Sequence, residues 1–100
     1  MRILAAGAHP DDIEIFMFGL LSLFKFRGDE ITMLVATDGS LGGKQKKEEL
    51  TRLREIETTN ALKDLGDLFF LKLPDGSLGD YESHKIKIKK KVLEISPDLI

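Results

Sequence analysis

A chain of 100 residues has room for one domain, and with 42% apolar and 32% charged residues it can build a core and cover it. Fifteen Lys and Arg against seventeen Asp and Glu leave a net charge of −2, which excludes a generally basic nucleic-acid binder and a polyanionic disordered tail. The absence of cysteine excludes disulfides, thiolate zinc fingers and a cysteine nucleophile. In chain order, Ile3 to Ala8 is a short continuous apolar run, the pattern of a strand buried on both faces of a parallel sheet. From Ile13 to Phe26 the apolar residues Ile13, Phe16, Met17, Leu20, Leu21 and Phe24 recur at spacings of three and four, which predicts a helix closed by Gly28. That run is too short to span a bilayer, carries Glu14, and has neither a basic leader nor a small-residue cleavage site, so no transmembrane segment or signal peptide is expected. The location these features suggest is cytoplasmic. Ile31 to Ala36 predicts a second buried strand, followed by a glycine-rich loop from Thr37 to Gly43. A long helix is expected from Lys46 to Leu65, apolar at Leu50, Leu53, Ala61 and Leu65 and stopped by Gly66. Leu68 to Leu71 predicts a third strand, Pro74-Asp75-Gly76-Ser77 has turn chemistry, and Ser83 to Ile95 predicts a last helix with Ser83 as cap and Ile88, Val92 and Ile95 inward. Asp98-Leu99-Ile100 opens a fourth strand, so the chain reads as the N-terminal portion of a single domain.

Strands alternating with helices in units of this length predict an α/β fold: a Rossmann-like, doubly wound three-layer sandwich with a mostly parallel sheet, incomplete within these residues. Ligands bind such sheets outside the carboxyl ends of the strands, which directs attention to the residues after Ala8, Ala36 and Leu71. The first strand runs into Ala8-His9-Pro10-Asp11-Asp12-Ile13-Glu14, with four ionisable groups in six residues. His9 and Asp12, three apart across a strand-to-helix turn, can converge on one point, and imidazole with carboxylate suits Zn²⁺, with Fe²⁺ or Co²⁺ in its place. Asp11 beside them stands where a general base belongs. A plainer reading makes Asp11 or Asp12 a helix cap and His9 an incidental polar residue, although capping needs one carboxylate and leaves His9 and Glu14 unexplained. Pro10 fits the first helical turn. Glu14, about 200° around the helix from Asp12, reads as structural.

The segment from Ala8 to Glu14 resembles the AHPDD-x-E signature of the LmbE-like/PIG-L family of zinc-dependent N-acetylglucosaminyl deacetylases. Thr37-Asp38-Gly39-Ser40-Leu41-Gly42 is similar to that family's T-x-G-x-x-G loop, Arg54-x-x-Glu57 with Leu65-Gly66 to its R-x-x-E…LG helix, and Leu73-Pro74-Asp75-Gly76 to its LPDG turn. Ser96-Pro97-Asp98-Leu99-Ile100 resembles the segment opening its fourth strand. The resemblance implies a zinc-dependent hydrolase that removes the acetyl group from an N-acetylglucosaminyl conjugate. It makes His9 and Asp12 metal ligands, Asp11 the general base, and Arg54 and Asp75 substrate-binding residues. It also places the third zinc ligand, a histidine, after the fourth strand and therefore beyond residue 100. The aglycone of the sugar is left open.

Other features have plainer expectations. The loop from Thr37 to Gly43 lacks both phosphate-binding glycine patterns and reads as a pocket-lining or mobile loop. Lys85, Lys87, Lys89, Lys90 and Lys91 read as a solvated helix face, an acidic partner or anionic membrane being the alternative. Phe16, Phe18, Phe24 and Phe26 are expected in the core, and His84 as a solvated residue where the last helix begins. Arg54 and Glu57 can form an intrahelical pair while Arg54 still serves a ligand. The partners expected are a small N-acetylglucosaminyl substrate, no nucleic acid, and, given an unfinished sheet, a homo-oligomer. A non-catalytic Rossmann-like binding module is the other reading, and zinc content separates the two.

Overall fold

The computed structural model describes residues 1–41 and 46–100, so Gly42 and Gly43 of the expected loop lie outside the described residues. Strands β1 (Arg2–Gly7), β2 (Glu30–Thr37) and β3 (Asp67–Leu73) form one parallel sheet in the order β1-β2-β3. Helices α1 (Asp12–Phe16), α2 (Phe18–Arg27), α3 (Lys47–Leu62) and α4 (Glu82–Ile95) complete the described elements. Every residue of β2 from Ile31 to Thr37 is buried, as a continuous apolar run covered on both faces must be. Ile3, Ala5, Ile31, Met33 and Val35 turn one face of the sheet toward Ile13, Leu21, Leu62 and Leu65, and this is the core. Leu68 and Phe70 join it, so Phe69 between them points to the opposite face. There the Lys91 Nζ of α4 stands 3.8 Å from the Phe69 ring centroid. Helices thus lie on both faces, and the expected three-layer α/β arrangement is present.

The helix expected from Ile13 to Phe26 is two helices, broken at Met17, whose φ of −124° and ψ of −9° leave the helical region. The inward stripe is Ile13, Met17, Leu21 and Phe24. Phe16 and Phe26, expected in the core, are 80% and 93% exposed. The segment is apolar nearly all round, so spacing alone could not choose its inner face. Gly28 caps α2 as expected, with a left-handed φ of 99°.

In α3 the buried positions are Leu50, Thr58 and Leu62, while Ala61 is exposed. Leu65 is buried in the turn beyond the helix, and Gly66 follows for a steric reason: a Cβ there would stand 1.9 Å from the Ile31 carbonyl oxygen. The cap of α4 is Tyr81 rather than Ser83. With the helix beginning at Glu82, His84 falls on the same inner stripe as Ile88, Val92 and Ile95, at spacings of four, four and three, and is buried against the edge of the Tyr81 ring with centroids 5.2 Å apart. The expectation of a solvated histidine therefore fails. Of the lysine run, Lys85, Lys87, Lys89 and Lys90 are exposed as expected, whereas Lys91 is half-buried. After α4, Leu99 bridges Ile3 in parallel, with the Leu4 N–H donating to the Leu99 carbonyl at 2.9 Å. This puts the start of a further strand on the other side of β1.

Candidate active site

The site is built where the three strands end. β1 stops at Gly7, and the next carbonyl, that of Ala8, accepts both the N–H and the hydroxyl of Thr37 at 2.9 and 2.7 Å. This pins the end of β1 to the end of β2. Between β2 and β3 the register shifts after Val35–Phe70 so that Thr37 pairs with Leu73, giving β3 one extra residue in a bulge. Lys72 in that bulge takes a positive φ of 57°. Such bulges re-aim the chain that follows, and here that chain is Pro74-Asp75-Gly76.

His9 and Asp12 are brought together. The His9 N–H donates to Asp12 Oδ2 at 2.9 Å, and His9 Nδ1 stands 3.6 Å from the same oxygen. Asp75, which the resemblance makes a substrate-binding residue, meets His9 directly: its Oδ1 is 2.9 Å from His9 Nε2, and its Oδ2 accepts the Leu41 N–H at 3.0 Å. The Asp75 carboxylate is only 8% exposed, whereas His9 is 50% exposed.

Asp11 is the N-cap of α1, and its φ of 91° puts a non-glycine residue in the left-handed region. Strain of this kind concentrates at functional sites. Its backbone N–H donates to Glu14 Oε2 at 3.2 Å, and its carboxylate takes the Arg54 guanidinium. Pro10 precedes the cap rather than sitting in the first turn, and lies buried against Gly39. Gly39 has a φ of 66°, and a Cβ there would come within 2.9 Å of the Pro10 ring. The second loop can approach the first only at a glycine.

Glu14 is structural, as expected: the Thr58 hydroxyl donates to its Oε2 at 2.8 Å. Arg54 and Thr58, four apart on α3, therefore grip Asp11 and Glu14, three apart on α1. Sequence reasoning misses Thr58, and it also misses Asp38, whose Oδ1 accepts the N–H groups of Ser40 at 2.9 Å and Asp75 at 3.2 Å. Burial opposes the charge on Asp38, but these donors and the nearby Lys47 hold its carboxyl below the ordinary value. The Asp-Gly-Ser sequence, with its side-chain-to-backbone turn, is the available signal.

His9, Pro10, Asp11, Asp12, Gly39, Arg54 and Asp75 line one cavity of about 200 Å³. Every site residue expected from the sequence is on this wall, and His84 is not. Among the described residues, no three His, Asp or Glu side chains group as a metal cage. Among them, no helix is long and apolar enough to cross a membrane.

No curated protein sequence matches the chain. Among solved structures, the N,N′-diacetylchitobiose deacetylase of Pyrococcus horikoshii superposes with a TM-score of 0.88 at 25% identity, over 98% of this chain and 39% of that one. The conserved protein TT1542 of Thermus thermophilus matches with a TM-score of 0.78 at 32% identity, over 95% of this chain and 42% of the other. GalB, the 4-carboxy-2-hydroxymuconate hydratase of Pseudomonas putida, shares the fold with a TM-score of 0.84 at 17% identity, over 96% of this chain and 44% of its own. The chain thus spans about two fifths of the length of these structures. The family model for PIG-L, described as GlcNAc-PI de-N-acetylase, matches residues 4–100, from within β1 through the bridge at Leu99. By that match the chain belongs to the PIG-L family.

Proposed function

We propose that the chain supplies the cation-binding and general-base wall of a zinc-dependent hydrolase that removes the acetyl group from an N-acetylglucosaminyl conjugate. The observation that carries this reading is the convergence of His9 and Asp12 with the Asp11–Arg54 pair on one cavity at the carboxyl ends of the strands. Family membership and the likeness to a diacetylchitobiose deacetylase support it.

The donor set fits a borderline cation. His9 Nδ1 and an Asp12 carboxylate oxygen face each other across 3.6 Å at a half-exposed surface, and one nitrogen with one carboxylate suits Zn²⁺, or Fe²⁺ or Co²⁺ in its place. A third ligand, expected beyond residue 100, would complete the set. The chemistry a bound Zn²⁺ supplies is polarisation of the acetamide carbonyl and acidification of water. Asp11 accepts the proton of the attacking water and returns it to the leaving amine. Arg54 orients the Asp11 carboxylate from α3, which fixes the direction from which the proton is taken. The same guanidinium and the Asp75 carboxylate lie on the wall a sugar would face, where they contact its hydroxyls. The setting is cytoplasmic.

The test is made on the full-length protein, with acetate release from an N-acetylglucosamine conjugate and bound zinc measured side by side. Asp11→Asn is expected to keep zinc and lower turnover by about a hundredfold or more, since a positioned base contributes roughly 10²–10⁴. His9→Ala and Asp12→Ala are expected to lose the metal. If neither substitution changes zinc content, the reading falls and a binding module without metal takes its place. Arg54→Ala is expected to lower kcat/KM with zinc retained, and an unchanged kcat/KM removes Arg54 from the site.

A further inference from the structure

The Asp75 carboxylate is far more enclosed than a group that serves only a sugar hydroxyl needs to be. At 8% exposure, it spends one oxygen on His9 Nε2 at 2.9 Å and the other on the Leu41 N–H at 3.0 Å. Its own N–H is in turn held by Asp38 at 3.2 Å. A carboxylate accepts and does not donate, so the imidazole nitrogen facing it must carry the ring proton. In a neutral imidazole the other nitrogen then carries the lone pair. That nitrogen is Nδ1, which stands 3.6 Å from Asp12 Oδ2.

We propose that Asp75 is a positioning residue for His9: its buried carboxylate keeps the proton on Nε2 and turns the Nδ1 lone pair toward the point that Asp12 also faces. The inference rests on the cation-binding reading of His9 and Asp12 above and adds to it how the imidazole is prepared. The turn after β3, which resemblance ties to substrate, thereby also sets the ligand on the loop after β1. The bulge at Lys72 lies just before it, where the extra residue in β3 re-aims the chain that carries Asp75. Asp38 braces the arrangement from the loop after β2, so all three strand ends contribute to the state of one ring. Carboxylates that take the second N–H of a metal-binding histidine fix its tautomer, and losing one typically weakens metal binding about 10–100-fold.

Two measurements on the full-length protein test this. The first is the ¹⁵N spectrum of histidine-labelled, metal-free protein at about pH 8.5, two units above the ordinary imidazole value, with the His9 signals identified by their loss in His9→Ala. His9 is expected with Nε2 protonated and Nδ1 bare. A protonated Nδ1, or the averaged signals of a free imidazole, overturns the proposal in the wild type alone, whatever the variants do. The second is zinc affinity by competition with a chromophoric chelator. In Asp75→Asn the amide oxygen is claimed by the Leu41 N–H, so its NH₂ faces Nε2 and drives the proton to Nδ1. This variant is expected to lose about 10–100-fold in zinc affinity and to show the reversed tautomer. Asp75→Ala is expected to lose a similar factor with a mixture of tautomers. A residue that only contacts substrate would raise KM and leave both readouts where they were, and that result overturns the assignment. If His9→Ala loses zinc while both Asp75 variants keep it, the role of Asp75 alone is wrong. If His9→Ala itself binds zinc like the wild type, the cation-binding reading falls and takes this inference with it.

Discussion

Asp38 joins two loops through a single oxygen, and its charge is what lets it do so. Because its folded carboxyl lies below the ordinary value, the stability it adds is complete above the unfolded-state value of about 3.9 and is lost as the pH falls through the lower folded value. Asp38→Asn is therefore expected to unfold at a lower temperature than wild type at neutral pH, with the gap closing below about pH 4. Thermal melts from neutral to acidic pH check this, and a gap that stays constant into acid would contradict it. At this scale the sequence is readable where the site is contiguous. His9, Asp11 and Asp12 stand in one short run, and a strand-to-helix turn leaves such residues few places to go. Asp38 and Thr58 are not readable, because their partners Asp75 and Glu14 lie 37 and 44 residues away. Only the folded sheet brings those pairs together.

At the scale of elements, the boundaries of the strands are legible to within a few residues because continuous apolar runs have one stable use in a parallel sheet. The helices are legible as elements but not as faces. A segment apolar on every side hides the break at Met17 and the exposure of Phe16, and in α4 the stripe of Ile88, Val92 and Ile95 is legible while His84 at its start, beside a cap expected at Ser83, is not. Gly66 shows what a boundary signal can really report. In the sequence it reads as a helix stop, yet α3 ends at Leu62, and the glycine is required because β3 begins hard against the Ile31 carbonyl. Gly66→Ala must push the two strands apart and is expected to cost about 3 kcal/mol, the upper end of core overpacking. Chemical denaturation measures it, and a loss below about 0.5 kcal/mol, the level of a surface substitution, would show that the strands can part freely.

Across the whole molecule, the described residues pair the outer edge of β1 only from Arg2 to Leu4, through Asp98 and Leu99. Ile15, Phe16, Leu23 and Phe26 leave large apolar side chains in solvent along α1 and α2. An open strand edge beside an exposed apolar surface invites association. A polypeptide of residues 1–100 alone is expected to self-associate, and replacing Phe16 and Phe26 with lysine is expected to shift it toward monomer. Sedimentation velocity over a range of concentrations decides this. A wild-type species that remains monomeric throughout would show that these surfaces are inert.

The left-handed backbone at Asp11 has a consequence for how variants of this protein are screened. Asp11→Gly removes a conformational cost of about 1 kcal/mol or more and gives up an ion pair with Arg54 worth about as much, so the two changes nearly cancel. A library sorted by melting temperature, expression level or protease resistance would pass that substitution as neutral while the candidate base is gone. Asp11→Gly is thus nearly silent in assays that read folding and audible in one that reads turnover.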